Sequence, residues 1–442
     1  MPISPNTRDR RTGWSRLALH AGFLLLSSWP AGAESLDPKA TWAVIAGVLE
    51  WRDPGLSSFP KANRKDQALF EKLGEIGVPA SQRTLLLDGE ATAGAIAEAL
   101  AGVVARAGSQ ATLIFYFAGH GVRDDDGKII FTTTDTRLDR LDRTGLEMGK
   151  LRGMLEGFRG KRLILLADCC HSGGLAEVAE ALSGARQTVA LTSSQASNIS
   201  TGNWTFTQTL IDGLGGRALL DRDDDGSLTF GELATEVKEA MCHRERQRYG
   251  FASFGVSPDL EIARAKGLAT SAGGSAGKAA ELERRDWIKA NDEQIGRILE
   301  VEGSGNGGRA LVEFFDYSDL SQSWLPLASL EKDHLETWPA GSDLRVTWKE
   351  KVWDAKVRAV DAGFMLITYP GYDKRWDEWI SADRVVGAER RLPVKGDRVK
   401  VEWQGHWYDA EVKSARDGKW CIGYVGWDAS WDECVAEKRI RY

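Results

Sequence analysis

ATLIFYFAGHG (111–121) and KRLILLADCCHSGG (161–174) decide the reading of this chain. Each opens as a continuously apolar run, the pattern of a strand buried on both faces. Each then breaks into glycine and presents a reactive side chain just past the run, His120 in one and Cys170 in the other. In open α/β sheets ligands bind outside the carboxyl ends of the strands. Two such ends in one parallel sheet would set an imidazole beside a thiol, the pairing that nucleophilic thiol chemistry needs.

Around these two segments, WAVIAGV (42–48), RTLLLD (83–88), KIIFTTTD (128–135) and TVALTSS (188–194) also read as strands. Amphipathic stretches at 65–73 and 92–106 alternate with them, which predicts an α/β layer sandwich with a mostly parallel sheet. The 442 residues allow two to four domains, and 42% hydrophobic against 27% charged residues excludes a wholly disordered chain. A net charge of -7 with a pI near 5.6 argues against nonspecific nucleic-acid binding through a basic surface. Five cysteines are too few for a disulfide scaffold.

The segment from Trp42 to Ala263 resembles the caspase-like clan of cysteine peptidases, nearest the metacaspases and their bacterial relatives. The motifs that carry the resemblance are AGHG around His120 and Asp-Cys-Cys-His-Ser-Gly at 168–173; the animal caspase signature Gln-Ala-Cys-x-Gly is absent. The resemblance implies a caspase-like fold and makes Cys170, immediately before His-Ser-Gly, the nucleophile, with His120 as its partner. Cys169 would then face the core. It also implies that Asp168 and Asp66 (in FPKANRKDQALF) line the pocket for the residue before the scissile bond. Two carboxylates there would favour Arg or Lys. Arg64 lies close by, and animal caspases use arginines to hold aspartate; Asp66 is equally suited to a helix N-terminus. Arg186, in EALSGARQTVAL between a helical stretch and the next strand, is the expected site of self-cleavage.

DRDDDGSLTFGE (221–232) fits the EF-hand loop. Asp221, Asp223 and Asp225 take positions 1, 3 and 5, Gly226 the turn at 6, Ser227 the carbonyl at 7 and Glu232 the bidentate position 12. The pattern predicts calcium; its alternative is a solvated acidic loop. No other cofactor has a motif.

Residues 1–33 combine a basic start (Arg8, Arg10, Arg11, Arg16), the apolar stretch LALHAGFLLLSSW and a closing Ala31-Gly32-Ala33, the order of a secretory signal peptide. An N-terminal anchor is the competing reading. Cleavage would leave a periplasmic or secreted protein with no membrane span. The expected peptidase domain then covers 34–264, and the Gly/Ala/Ser-rich stretch 265–280 is a flexible linker.

Twelve of the seventeen tryptophans follow residue 280, where the sequence repeats at an offset of 55. Val346, Trp348, Tyr369, Gly371, Trp376, Glu378 and Arg384 are among those that recur unchanged 55 positions on, and Trp324 and Phe314 extend the offset faintly backwards. Three small SH3-like β-barrels are expected, at 281–338 (divergent), 339–391 and 392–442. YPGYDKRWDEW and YVGWDASWDEC resemble the chromo-barrel or Tudor-knot group, which implies an open aromatic cage for a peptide or cationic ligand. The matching rings are Trp353, Tyr369, Tyr372 and Trp376, then Tyr408, Tyr424, Trp427 and Trp431. Ile298, Phe314, Tyr317 and Ser321 break the first cage. Rings filling a small core are the alternative. Cys421 and Cys434 replace Leu366 and Trp379 of the preceding copy, so a local disulfide is available.

The resulting expectation is an exported cysteine endopeptidase acting on protein or peptide substrates. The competing one is a catalytically silent binding protein whose barrels carry the function.

Overall fold

The computed structural model describes residues 34–198, 200–266, 282–290, 294–304, 307–316, 319–348, 351–389, 392–403, 406–416 and 418–441. The expected signal peptide and nearly all of the expected linker lie outside them. No helix among the described residues is long and apolar enough to cross a membrane.

The first domain is built on a six-stranded sheet. Its strands are β1 (Thr41–Gly47), β2 (Arg83–Leu87), β3 (Thr112–Ala118), β4 (Arg162–Asp168), β5 (Gln187–Thr192) and β6 (Gly250–Phe254), in the order β6-β5-β4-β3-β1-β2. All neighbours run parallel except β6, which pairs antiparallel with β5. Alternate residues feed two cores. Leu113, Phe115, Leu163 and Leu165 pack with helices α2 (Ala93–Arg106), α3 (Met148–Leu155) and α4 (Leu175–Leu182). Ile114, Tyr116, Ile164 and Leu166 pack with α1 (Lys65–Glu75), α5 (Thr205–Gly215) and α6 (Phe230–Glu245). Because both faces are covered, the strands carry unbroken apolar runs, which is why they were legible.

KIIFTTTD is a correction. Only Ile129–Phe131 is a strand, and it belongs to a three-stranded side sheet with Gly121–Arg123 and Leu146–Glu147. Thr132, Thr133 and Thr134 are buried as loop residues, with their hydroxyls bonded to neighbouring chain.

Three five-stranded antiparallel modules follow, each a four-strand meander whose fifth strand returns beside the first. Their cores are small and mostly aliphatic: Val399, Val401, Val412 and Ile422 in the third, and Leu344, Val346, Val357 and Ile367 in the second. The repeat has a physical cause. Tyr369 donates to Glu378 (2.6 Å), which Arg384 also grips; Tyr424, Glu433 and Arg439 reproduce the arrangement 55 residues on. Gly371 and Gly426 both turn at positive φ. The first module has Phe314 in place of the tyrosine. Its first hairpin also departs from the offset: Ile298 pairs with Val312 as Val357 pairs with Ile367. Ile298 is thus a core residue equivalent to Val357, not a counterpart of Trp353.

The first module packs on the first domain through α6. Fully buried Arg297 pairs with Glu236 and Glu239, and Asp333 takes Arg246 (2.8 Å) and His243 (2.7 Å). In the third module Cys421 and Cys434 face each other on neighbouring strands and form a disulfide. Closing a loop with 13 residues of separation should stabilise that module by about 3 kcal/mol. Reduction, or Cys421→Ser with Cys434→Ser, should therefore lower its melting temperature, read by calorimetry with and without reductant.

Candidate functional site

The β3–β4 register ends with Ala118 opposite Asp168. His120 and Cys170 each lie two residues beyond this pair, at the same edge of the sheet. They are held close through Gly121: a Cβ there would lie 1.8 Å from the Cys170 carbonyl oxygen, so only glycine fits. Cys169 is buried in the α2–α4 core, and Cys170 is partly exposed.

His120 is set by a group that sequence motifs do not reveal. The segment after β1 folds over the ring, placing Trp51 and Phe59 at 4.4 and 4.5 Å from its centroid. Its Nε2 bonds the Ser57 carbonyl at 2.7 Å. A carbonyl only accepts, so Nε2 carries the hydrogen and Nδ1 is left with its lone pair free. Burial pushes the imidazole pKa down against the Ser57 bond, which keeps the ring neutral and basic at neutral pH. Burial raises the Cys170 thiol pKa, opposed by the loop after β5. There the Ser200 N–H donates to Sγ at 3.1 Å. No hydrogen bond joins Sγ to the imidazole among the described residues, a separation common before substrate closes a site.

The two expected pocket acids flank Tyr116 but differ in their partners. Gly47, which packs against the Asp66 carboxylate, and Asp168 are two strand spacings apart, about 10 Å. Asp66 is fully buried and closed by Arg64, whose guanidinium forks onto it at 2.7 and 2.8 Å and reaches Asp88 at 2.9 Å. In this structure Asp66, expected as the second pocket acid, is paired with Arg64, whose guanidinium is taken up by Asp66 and Asp88. Asp168 accepts from Thr207 (2.6 Å), and burial lifts its pKa to about 7.

The family model described as the caspase domain matches residues 62–261. Residues 62–261 thus form a caspase domain. Similar solved structures include a Geobacter sulfurreducens protein, caspase-1 of Spodoptera frugiperda and the Drosophila initiator caspase Dronc. The first is 14% identical with a TM-score of 0.37, covering 51% of this chain and 99% of its own. For the Spodoptera caspase the figures are 14%, 0.37, 53% and 94%, and for Dronc 12%, 0.34, 52% and 86%. No curated protein matches the chain. With the family match, the sheet order above gives the fold class: a caspase-like α/β sandwich with a mostly parallel sheet, followed by small antiparallel β-sheets. Such a domain supports a cysteine peptidase, with proteins or peptides as substrates.

Self-cleavage after Arg186 does not suit this caspase domain. The connection from α4 to β5 is only Ser183–Arg186. Arg186 reaches back to the Leu155 and Glu156 carbonyls at the end of α3 (both 3.3 Å), and Gln187 already pairs with Arg162 in the sheet. The bond to be cut is tethered on both sides.

In the acidic loop of the caspase domain, Asp221, Asp223 and Asp225 bring carboxylate oxygens within 4.8 Å of one another. Gly226 makes the expected turn at φ 83°, and burial together with Glu232 and Asp225 raises the Asp221 pKa. The all-oxygen set fits a hard cation such as calcium. Glu232 stands apart: it accepts from Thr229 in a capping box at the start of α6 and from the Arg222 N–H (2.6 Å). It must leave that cap to ligate. Ser227 opens a short strand paired with Glu261–Arg264.

The rings of the modules divide: Trp420 lies in the third core and Trp353, Tyr369 and Tyr424 pack against the cores, while others stand exposed. Tyr408, Tyr424, Trp427 and Trp431 form an edge-to-face cluster with centroids 5.1 to 6.4 Å apart, and Trp427 and Trp431 are 48% and 45% exposed. Trp403, which the cage pattern omitted, closes the cluster against Tyr408 and Trp431. In the second module Trp353 meets Tyr369 and Tyr372, while Trp376 meets Trp348, the counterpart of Trp403. The recurrence of Trp348 at the 55 offset was the signal that could have found both.

The raised Asp168 pKa has a testable sign. From the unfolded value near 4 up to about 7, the native carboxyl keeps a proton that the unfolded chain has released. Native stability is lost as pH rises through this window. Asp168→Asn, which keeps an acceptor for Thr207, should stabilise the protein more at pH 8 than at pH 5 in denaturant unfolding. An equal effect at both would contradict the buried carboxyl.

Proposed function

We propose that the chain is an exported cysteine endopeptidase that uses Cys170 as nucleophile and His120 as base and cleaves after Arg or Lys. The carrying observation is the shared sheet edge: two parallel neighbours end together, one in a thiol and the other in an imidazole with Nδ1 free. In the reaction the thiol proton passes to Nδ1 as sulfur attacks the scissile carbonyl; the same proton then goes to the leaving amine, and water releases the acyl group. Asp168 is the pocket acid. An entering guanidinium supplies the counter-charge that burial withholds and favours the carboxylate. The disulfide supports a periplasmic or secreted location, since such bonds persist in oxidising compartments.

The acidic loop would hold calcium through Asp221, Asp223 and Asp225, joined by the Ser227 carbonyl and Glu232. The ion would tie the approach to α6 to the body of the domain. The exposed ring clusters favour peptide or cationic ligands on the modules, through attraction to aromatic faces. They would serve as targeting elements, and as the whole function if the peptidase were silent.

Turnover of peptide amides decides between these readings. Arg and Lys substrates should be cleaved and Asp substrates not; Cys170→Ala should abolish cleavage, and Cys169→Ala should leave most of it. KM for an Arg substrate should rise as pH falls through about 7, where Asp168 gains its proton. No turnover by the wild type under any of these conditions would leave the binding role.

Calcium should raise the melting temperature together with activity, because a ligand of the native state stabilises it. Asp221→Ala should remove both effects. Identical melting with calcium and with chelator would leave the loop without a metal.

A further inference from the structure

The Glu378–Ile380 strand lies at the edge of the second module, with one side unpaired by its own sheet. Its middle residue is gripped from the caspase domain. The Asn198 side chain donates through Nδ2 to the Trp379 carbonyl (2.6 Å) and accepts at Oδ1 from the Trp379 N–H (3.4 Å). One amide thus stands in for a neighbouring strand. Arg248 stacks on the Trp379 ring at 3.7 Å and pairs with Asp361, and Ser381 Oγ donates to the Arg246 carbonyl at 3.1 Å. The edge strand is fixed at its middle residue and just past its end.

Asn198 belongs to the loop that holds the thiol. Its own carbonyl accepts from the His171 N–H (2.8 Å), next to Cys170 in the chain. The Ala196 carbonyl bonds the His171 ring at Nδ1 (2.8 Å), and Ser200, two residues past Asn198, donates its N–H to Sγ. An N–H aimed at sulfur favours the thiolate over the thiol. The donor can act this way only while the loop is held at the right distance, and Asn198 is the buried residue that ties this loop to the second module.

We propose that Asn198 is a positioning residue through which the second module holds the Ser200 N–H on the Cys170 sulfur and so sets the reactivity of the thiol. The proposal rests on the reading of Cys170 as the nucleophile. It gives the second module a role in the catalytic site besides any ligand of its own. The module's edge strand also carries Glu378, bonded to Tyr369 of its ring cluster.

The test is the pH dependence of Cys170 alkylation by iodoacetamide in the full chain, followed by peptide mass spectrometry and compared with turnover of an Arg peptide amide. Asn198→Ala should move the alkylation profile to higher pH and slow the reaction at pH 7 by about five- to tenfold, the worth of one loosened hydrogen bond. In turnover, kcat should fall with KM little changed. Arg248→Ala, which frees the edge strand without touching the loop's own bonds, should shift the profile in the same direction. It keeps the test open should the first variant fold poorly. A folded variant of either kind with the wild-type alkylation profile would overturn the proposal. A shifted profile in a protein that turns over no peptide would support the coupling and count instead against the peptidase reading.

Discussion

The seven parallel pairs between β3 and β4 are the constraint on which the rest of the site depends. They bring the ends of two buried strands into register, and both reactive side chains follow at the same distance beyond the last pair. A one-residue slip would turn Cys170 toward the core and Cys169 toward the cleft, because strand residues alternate between faces. Gly121 then lets the His120 segment settle directly on the carbonyl of Cys170. The large apolar layers on either face hold the two strands in the middle of the sheet.

Desolvation, not ion pairing, sets the protonation of the site. Burial holds the imidazole neutral, keeps the thiol protonated at rest and leaves Asp168 close to its titration point. All three shifts run toward the uncharged form, so the resting cleft carries little charge. In the proposed reading, an arriving basic side chain would supply the charge that Asp168 lacks. The Ser57 carbonyl and the Ser200 N–H fix the direction in which the protons and the thiolate can then move. Asp66 shows the opposite solution, a buried carboxyl group closed by the forked Arg64 guanidinium.

The sheet was legible because each strand carries its own apolar signature, and the shared sheet edge of His120 and Cys170 because glycine and reactive residues punctuate two of those strands. Main-chain partners were not legible: the Ser57 carbonyl and the Ser200 N–H carry no side-chain signal, and they reach the site from loops. The Arg64–Asp66 pairing was equally hidden, since two charges two residues apart on a helix start give no hint of which will close on the other. β6 escaped notice because GFASF is short and half-exposed at the sheet edge. In the modules the offset of 55 located the folds, yet constant spacing misplaced Ile298, since the longer second turn of the first copy shifts its earlier strands. The grip of Asn198 on Trp379 joins residues 181 apart in the chain and follows only from packing.

The central claim, that Cys170 is the nucleophile of a pocket shaped for a basic residue, meets its most direct measurement in covalent trapping. The full chain would be incubated with a peptidyl-arginine acyloxymethyl ketone and the adduct mapped by mass spectrometry. The account predicts a single adduct on Cys170, lost in His120→Ala and out-competed by free Arg peptide. An adduct on Cys169 or Cys242, or equal labelling by the matching aspartyl reagent, would contradict it.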